Sequence, residues 1–148
     1  IGWLATKDRE LLQRISTYKE YISSCNSAPS ELLALIALRA RETVLARSGG
    51  LLAENLTLLD AFFAEWEGVF EWVRPRAGCV GFPHLRAELD VEELAIRLVE
   101  EERVLVVPGS IYDYPGNHFR LGFGRADLPI ALAGLERFAR RELQSRVA

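Results

Sequence analysis

Apolar positions recur every three to four residues through much of this chain, and the interruptions mark its joints. Residues 2–6 read as a short strand. Asp8 is placed to cap a helix and Glu10 to charge its first turn favourably; Leu11, Leu12, Ile15, Tyr18 and Ile22 then share one face to about Ser23. Cys25 to Ser30 breaks the pattern, and Pro29 suits the first turn of a second helix. That helix carries Leu32, Leu33, Ile36, Ala40 and Val44 on one face to about Arg47, where Ser48-Gly49-Gly50 is expected to end it. A long helix from about Leu52 to Glu71 follows. Its stripe of Leu52, Leu56, Leu59, Phe62, Phe63, Trp66 and Phe70 is widened by Leu51, Leu58 and Val69, as in a helix that packs between two bodies.

From Trp72 the pattern changes. Pro75-Arg76-Ala77-Gly78 is turn chemistry, and Cys79 to Leu85 reads as a strand bent at Pro83. Asp90 caps a helix with Glu93 in capping-box position and Val91, Leu94, Ala95, Leu98 and Val99 facing inward. Val104 to Val107 and Phe119 to Phe123 read as strands. Asp127 caps a last helix whose core stripe is Leu128, Ala131, Leu132, Leu135, Phe138, Ala139 and Leu143. Strand, helix, strand, strand, helix makes a small α/β layer, of α+β type.

The 148 residues can bury an ordinary core, and their apolar and charged fractions, 49% and 26%, are those of a globular chain. No apolar run approaches the length of a membrane span. A net charge of −3 argues against a nucleic-acid surface. Cys25 and Cys79 fit no metal-ligand spacing and read as reduced, largely buried thiols; His84 and His118 read as isolated, so no metal site is expected. Arg137, Arg140, Arg141 and Arg146, beside Glu136 and Glu142, read as a solvated face. Trp3, Trp66 and Trp72 read as core or interface residues.

One segment carries more specific information. Val106-Val107-Pro108-Gly109-Ser110 ends a strand, and Asn117-His118-Phe119-Arg120-Leu121-Gly122-Phe123-Gly124 returns with one arginine in an apolar run. Ile1-Gly2-Trp3-Leu4-Ala5, the joint from Ser24 to Glu31, Asn55 in the long helix, and Trp72 to Pro83 accompany it in order. Together these resemble the C-terminal part of the class I/II aminotransferases, fold-type I enzymes that use pyridoxal 5'-phosphate (PLP). The resemblance implies the tail end of a PLP-binding large domain in residues 1–50 (a strand and two helices), an interdomain helix in 51–72 and a C-terminal small α/β domain in 73–148. It also implies amino transfer from an amino acid to a 2-oxo acid in a cytoplasmic homodimer, with no nucleic-acid or membrane partner.

The residue that the resemblance points to is Arg120, as the grip on the substrate carboxylate. A guanidinium makes two parallel charge-assisted bonds to a carboxylate and stays charged at any working pH. A structural role, with Arg120 paired to an acid such as Asp113, is the competing reading. Asn26, Ser27 and Tyr114 are possible cleft-lining residues, against ordinary turn hydrogen bonding for each. The Schiff-base lysine is not expected in this chain: Lys7 follows the first strand and Lys19 sits mid-helix, whereas the family's lysine would precede Ile1. These 148 residues alone are therefore expected to be inactive and to hold no PLP. Alternatives are the effector domain of an aminotransferase-like transcription regulator, or another fold-type I enzyme such as a β-lyase, decarboxylase or synthase.

Overall fold

The computed structural model describes residues 1–143, which divide into two compact units, Ile1–Ala46 and a second from Arg47 onward. In the first unit, α1 (Arg9–Ile22) starts where Asp8 accepts a hydrogen bond from the Leu11 amide at 3.0 Å, so the expected cap is formed. Ser23 closes the helix through its amide on the Lys19 carbonyl, 2.7 Å away. α2 (Ala28–Arg39) has proline in its first turn, as expected. No residue of α1 or α2 is buried.

Two expectations for this stretch fail. Residues 2–6 form no strand. A lone extended segment leaves its backbone donors and acceptors without a ladder, and none of the described strands pairs with it. Trp3, read as core or interface, is correspondingly 73% exposed. The second helix also ends early, at Ala40, and α3 (Arg41–Glu65) runs straight through Ser48-Gly49-Gly50. Glycine only weakens a helix, by about 1 kcal/mol relative to alanine, and no left-handed turn develops there to end it.

In the second unit the later turns of α3 bury Leu59, Phe62 and Phe63. The helix stops at Glu65 instead of Glu71. The amides of Val69 and Phe70 both turn back to the Trp66 carbonyl at 2.9 Å, and β1 (Phe70–Glu71) pairs antiparallel with β3 (His84–Leu85). The expected strand from Cys79 to Leu85 is divided at Pro83. Val80–Gly81, β2, joins a three-stranded antiparallel sheet in the order β2-β5-β4, while β3 belongs to the other sheet. Pro83 is buried at the crossover and its carbonyl accepts from the Phe119 amide at 3.1 Å. β4 is short, Val107–Pro108; Val104 and Val106 approach it with Leu105 turned outward. β5 spans Phe119–Gly122 with alternating buried and exposed residues.

Asp90 caps α4 (Val91–Arg97) through the Glu92 amide at 2.8 Å, and Val91, Leu94 and Ala95 are buried as expected, with Leu98 in the next turn. Glu93 lies 3.9 Å from Arg97 in the i,i+4 relation, and Val99 is 38% exposed. A π-helical turn, Leu98–Glu102, prolongs the helix until Arg103 takes a left-handed φ of 59°. α5 (Leu128–Phe138) has Asp127 at its cap position, but the carboxylate of Asp127 is taken by Arg125 through two 3.0 Å bonds, and no side-chain cap forms. A second π-helical turn, Ala139–Leu143, follows. Helices on antiparallel sheets enclose a core of Leu59, Phe70, Leu94, Leu98, Phe119, Phe123, Leu135, Phe138 and Leu143, all at most 1% exposed. This is an α+β layer, the fold class expected, and its core takes in Leu59 and Phe70 as well as the later residues.

The arginines of α5 and the turn after it are not merely solvated. Arg137 and Arg141 both bond the Glu102 carboxylate, and Arg140 bridges Glu65 and Glu136. Arg97 and Arg141 stand over the Phe138 ring at 5.0 and 5.6 Å. Arg146 lies outside the described residues.

Candidate functional site

Arg120 is the second residue of β5, paired with Val107 of β4. Its neighbours on the strand, Phe119 and Leu121, point into the core, so the two-residue period turns Arg120 outward. The side chain is exposed, and one guanidinium nitrogen donates to the Tyr112 hydroxyl at 2.9 Å. That hydrogen bond pushes Arg120 further toward its charged form. Asp113, the local acid that a structural role would use, forms no ion pair with it; among the described residues no carboxylate lies within bonding reach of this guanidinium. Arg125, five residues on, is the opposite case. Asp127 holds it through both oxygens, and its carboxyl is drawn below the usual range by that bond.

The loop before β5 is built to one shape. The Gly109 amide bonds the His118 carbonyl at 2.7 Å, and a Cβ on Gly109 would stand 3.0 Å from that oxygen and 3.2 Å from the Phe82 ring. A side chain there would have to push the carbonyl or the ring away by a few tenths of an ångström, so glycine suits the position. A 3₁₀ turn, Gly109–Tyr112, follows and ends at Asp113 with φ 52°. Asn117 then ties three segments together. Its side-chain oxygen accepts from the Val91 amide at 2.8 Å, and its nitrogen donates to the Leu85 and Leu89 carbonyls. Asn55, buried in α3, donates to the Phe123 and Arg125 carbonyls at 2.9 and 2.8 Å and so fixes the far end of β5. Asn55 interrupts an apolar stripe, a signal legible in the sequence; the role of Asn117 was missed, although an asparagine after Pro-Gly is turn chemistry.

Tyr114 is half exposed and packs edge-on against Phe82 at 5.1 Å and His118 at 4.9 Å. Tyr112 meets the same Phe82 ring at 6.5 Å, so Tyr114 and Arg120 belong to one aromatic-lined corner. Asn26 and Ser27 make local bonds in the first unit: Asn26 donates to Glu31 at 2.8 Å, and Ser27 accepts from the Ser30 hydroxyl at 3.0 Å.

Two further expectations are corrected. His84 and His118 are not isolated; they form a cross-strand bridge with ring centroids 4.6 Å apart. Two imidazoles are too few for a zinc site, and no group of three or more histidine, cysteine, aspartate or glutamate side chains converges among the described residues. Cys25 and Cys79 are free but exposed, and both lie in bends between elements. No helix among the described residues is long and apolar enough to cross a membrane. Lys7 lies in the exposed segment before α1, and the Lys19 amine bonds the Ser23 carbonyl at 3.4 Å on an exposed helix.

Residues 1–134 match the family described as aminotransferase class I and II. The chain belongs to that family. Capreomycidine synthase of Streptomyces vinaceus is 26% identical over 137 residues, which are 91% of this chain and 35% of the synthase. Among solved structures, a PLP-dependent aminotransferase from Streptococcus suis superposes with a TM-score of 0.81 at 28% identity, covering 90% of this chain and 36% of that one. The PLP-dependent cyclase OrfR superposes with a TM-score of 0.80 at 30% identity, covering 89% and 37%. The chain thus spans about a third of the length of the relatives it matches, and its fold is the corresponding part of a PLP-transferase fold.

Proposed function

We propose that these residues are the C-terminal part of a PLP-dependent aminotransferase in which Arg120 binds the carboxylate of the amino acid or 2-oxo acid. The observation that carries this reading is the state of Arg120: charged, exposed, held by one tyrosine hydroxyl and by no acid among the described residues. A guanidinium so placed keeps the fork that a carboxylate needs. Residues 1–50 would end the large domain, 51–72 would connect it, and 73–148 would form the small domain. The complete protein would act as a cytoplasmic homodimer, with PLP held by a lysine and other residues outside those described.

Amino transfer should appear when the full-length protein is given PLP, an amino-acid donor and a 2-oxo acid. Arg120→Lys should raise KM for the donor while leaving the fold intact, because an ammonium cannot form the fork. Unchanged kinetics would remove Arg120 from the site. Likeness to capreomycidine synthase and to a PLP-dependent cyclase favours a second reading, a synthase or cyclase on the same scaffold. Release of a cyclised product without a 2-oxo acid would decide for it. These similarities favour an enzyme over a regulator's effector domain.

A further inference from the structure

We infer that the Tyr112 hydroxyl is a second carboxylate-positioning group, acting beside Arg120. The inference rests on Arg120 being the carboxylate anchor. Tyr112 accepts a hydrogen bond from one Arg120 nitrogen at 2.9 Å. A phenol that accepts from a cation still carries its own proton. That proton is free to donate to an oxygen lodged against the same guanidinium. The two side chains together present a wider donor set than arginine alone, and one suited to a carboxylate, which accepts several hydrogen bonds.

The position of the hydroxyl is built, not incidental. Tyr112 ends the 3₁₀ turn that Gly109 starts, and Gly109 is held against His118 at 2.7 Å. The turn is closed by the Asp113 amide on the Ser110 carbonyl at 3.0 Å and by the Tyr114 amide on the Gly109 carbonyl at 3.2 Å. The Phe82 ring meets the Tyr112 ring edge-on. Tyr112 itself is 46% exposed, so a ligand can reach the hydroxyl. Phenylalanine at 112 would keep the turn and the ring contact and lose only the hydroxyl. Tyr112 therefore sets how tightly, and at what angle, the carboxylate is held.

The test uses the full-length protein and two probes, propionate and its uncharged counterpart propionamide. Binding is followed by the NMR signal of the Arg120 Nε–H, or by calorimetry where that signal is lost. Tyr112→Phe should weaken propionate binding roughly tenfold, the size of one charge-assisted hydrogen bond, and weaken propionamide, whose neutral carbonyl accepts a weaker bond, much less. In turnover, KM for the amino acid should rise by a similar factor with kcat little changed, which a merely structural role would not produce. An unchanged thermal transition shows that the variant folds. If Tyr112→Phe binds propionate like the parent while Arg120→Lys does not, the tyrosine inference is wrong and the arginine reading stands. If Arg120→Lys also binds like the parent, the arginine reading falls and takes this one with it.

Discussion

Residues 1–50 and the residues after them carry the same kind of pattern and reach different ends. Leu33 and Leu59 each occupy the apolar face of a helix; Leu33 is 66% exposed and Leu59 is fully buried. None of residues 1–50 is buried, whereas from Asn55 onward α3, both sheets, α4 and α5 close over a common core. Periodicity determines that a helix forms and which face is apolar. Burial, worth about 1.5–3 kcal/mol for a leucine, requires an opposing surface. The aromatic side chains supply it in the second region: Phe63 meets Phe62 and Phe70 edge-on and stacks on Trp72 at 4.5 Å.

The largest test of this contrast is truncation. Phe63→Ala should cost about 3–5 kcal/mol and Leu59→Ala about 2–5, measured by urea denaturation, because each opens a cavity in closely packed surroundings. Leu33→Ala in this chain should stay within about 0.5 kcal/mol, the usual range for an exposed site. A loss of several kcal/mol at Leu33 would mean that α2 is packed in solution and would erase the difference between the regions.

Asparagine sharpens the comparison next. Asn55→Ala removes the donor for two carbonyls, one of them buried, and should cost about 1–3 kcal/mol. Asn26→Ala breaks a bond to Glu31 that water can replace, and the same denaturation experiment should register well under about 1 kcal/mol. Equal losses at the two sites would show that Asn55 is not isolated from solvent.

Acid should act through the second region. Glu101, Glu102 and Glu142 are all held below the ordinary carboxyl value of 4.5. The main cause is a hydrogen bond from Arg97 for Glu101 and Glu142, and from Arg141 for Glu102. A carboxyl whose folded-state pKa lies below its unfolded one stabilises the fold above about pH 4.5, and that contribution is lost as pH falls through the lowered value. The urea midpoint should therefore fall as pH drops from 4.5, and Glu102→Gln should make the fall shallower. A midpoint that stays constant from pH 5 to 3 would show that this arginine–glutamate network does not stabilise the fold.

What could be read from the sequence was what is decided locally. The caps at Asp8 and Asp90 depend on residues two or three positions away, and both form. The apolar faces of α4 and α5 needed only helical spacing. Pairing is not local: nothing in Cys79 to Leu85 indicates that its halves enter different sheets. The same holds for His84 and His118, 34 positions apart, which meet only because β3 lies beside the segment entering β5. Arg120 was legible through a motif in its strand, but its partner comes from a turn eight residues earlier whose path depends on Gly109 and Phe82.

Glycine gives the smallest and most discriminating test, because one substitution should change sign between the regions. Gly50 lies inside α3 with open space where a Cβ would stand, so Gly50→Ala removes backbone entropy from the unfolded chain and adds helix propensity. It should stabilise by about 0.5–1 kcal/mol. Gly134 is also helical, in α5, but a Cβ there would stand 2.7 Å from the Cγ2 of Val104. Val104 is buried and β-branched, so it cannot turn aside cheaply. Overpacking of this kind costs about 1–3 kcal/mol, which outweighs the propensity gain, so Gly134→Ala should destabilise. The urea midpoint should rise for the first variant and fall for the second. A rise for both would show that α5 has room to move away from Val104, and that the packed region is less rigid than its buried side chains imply.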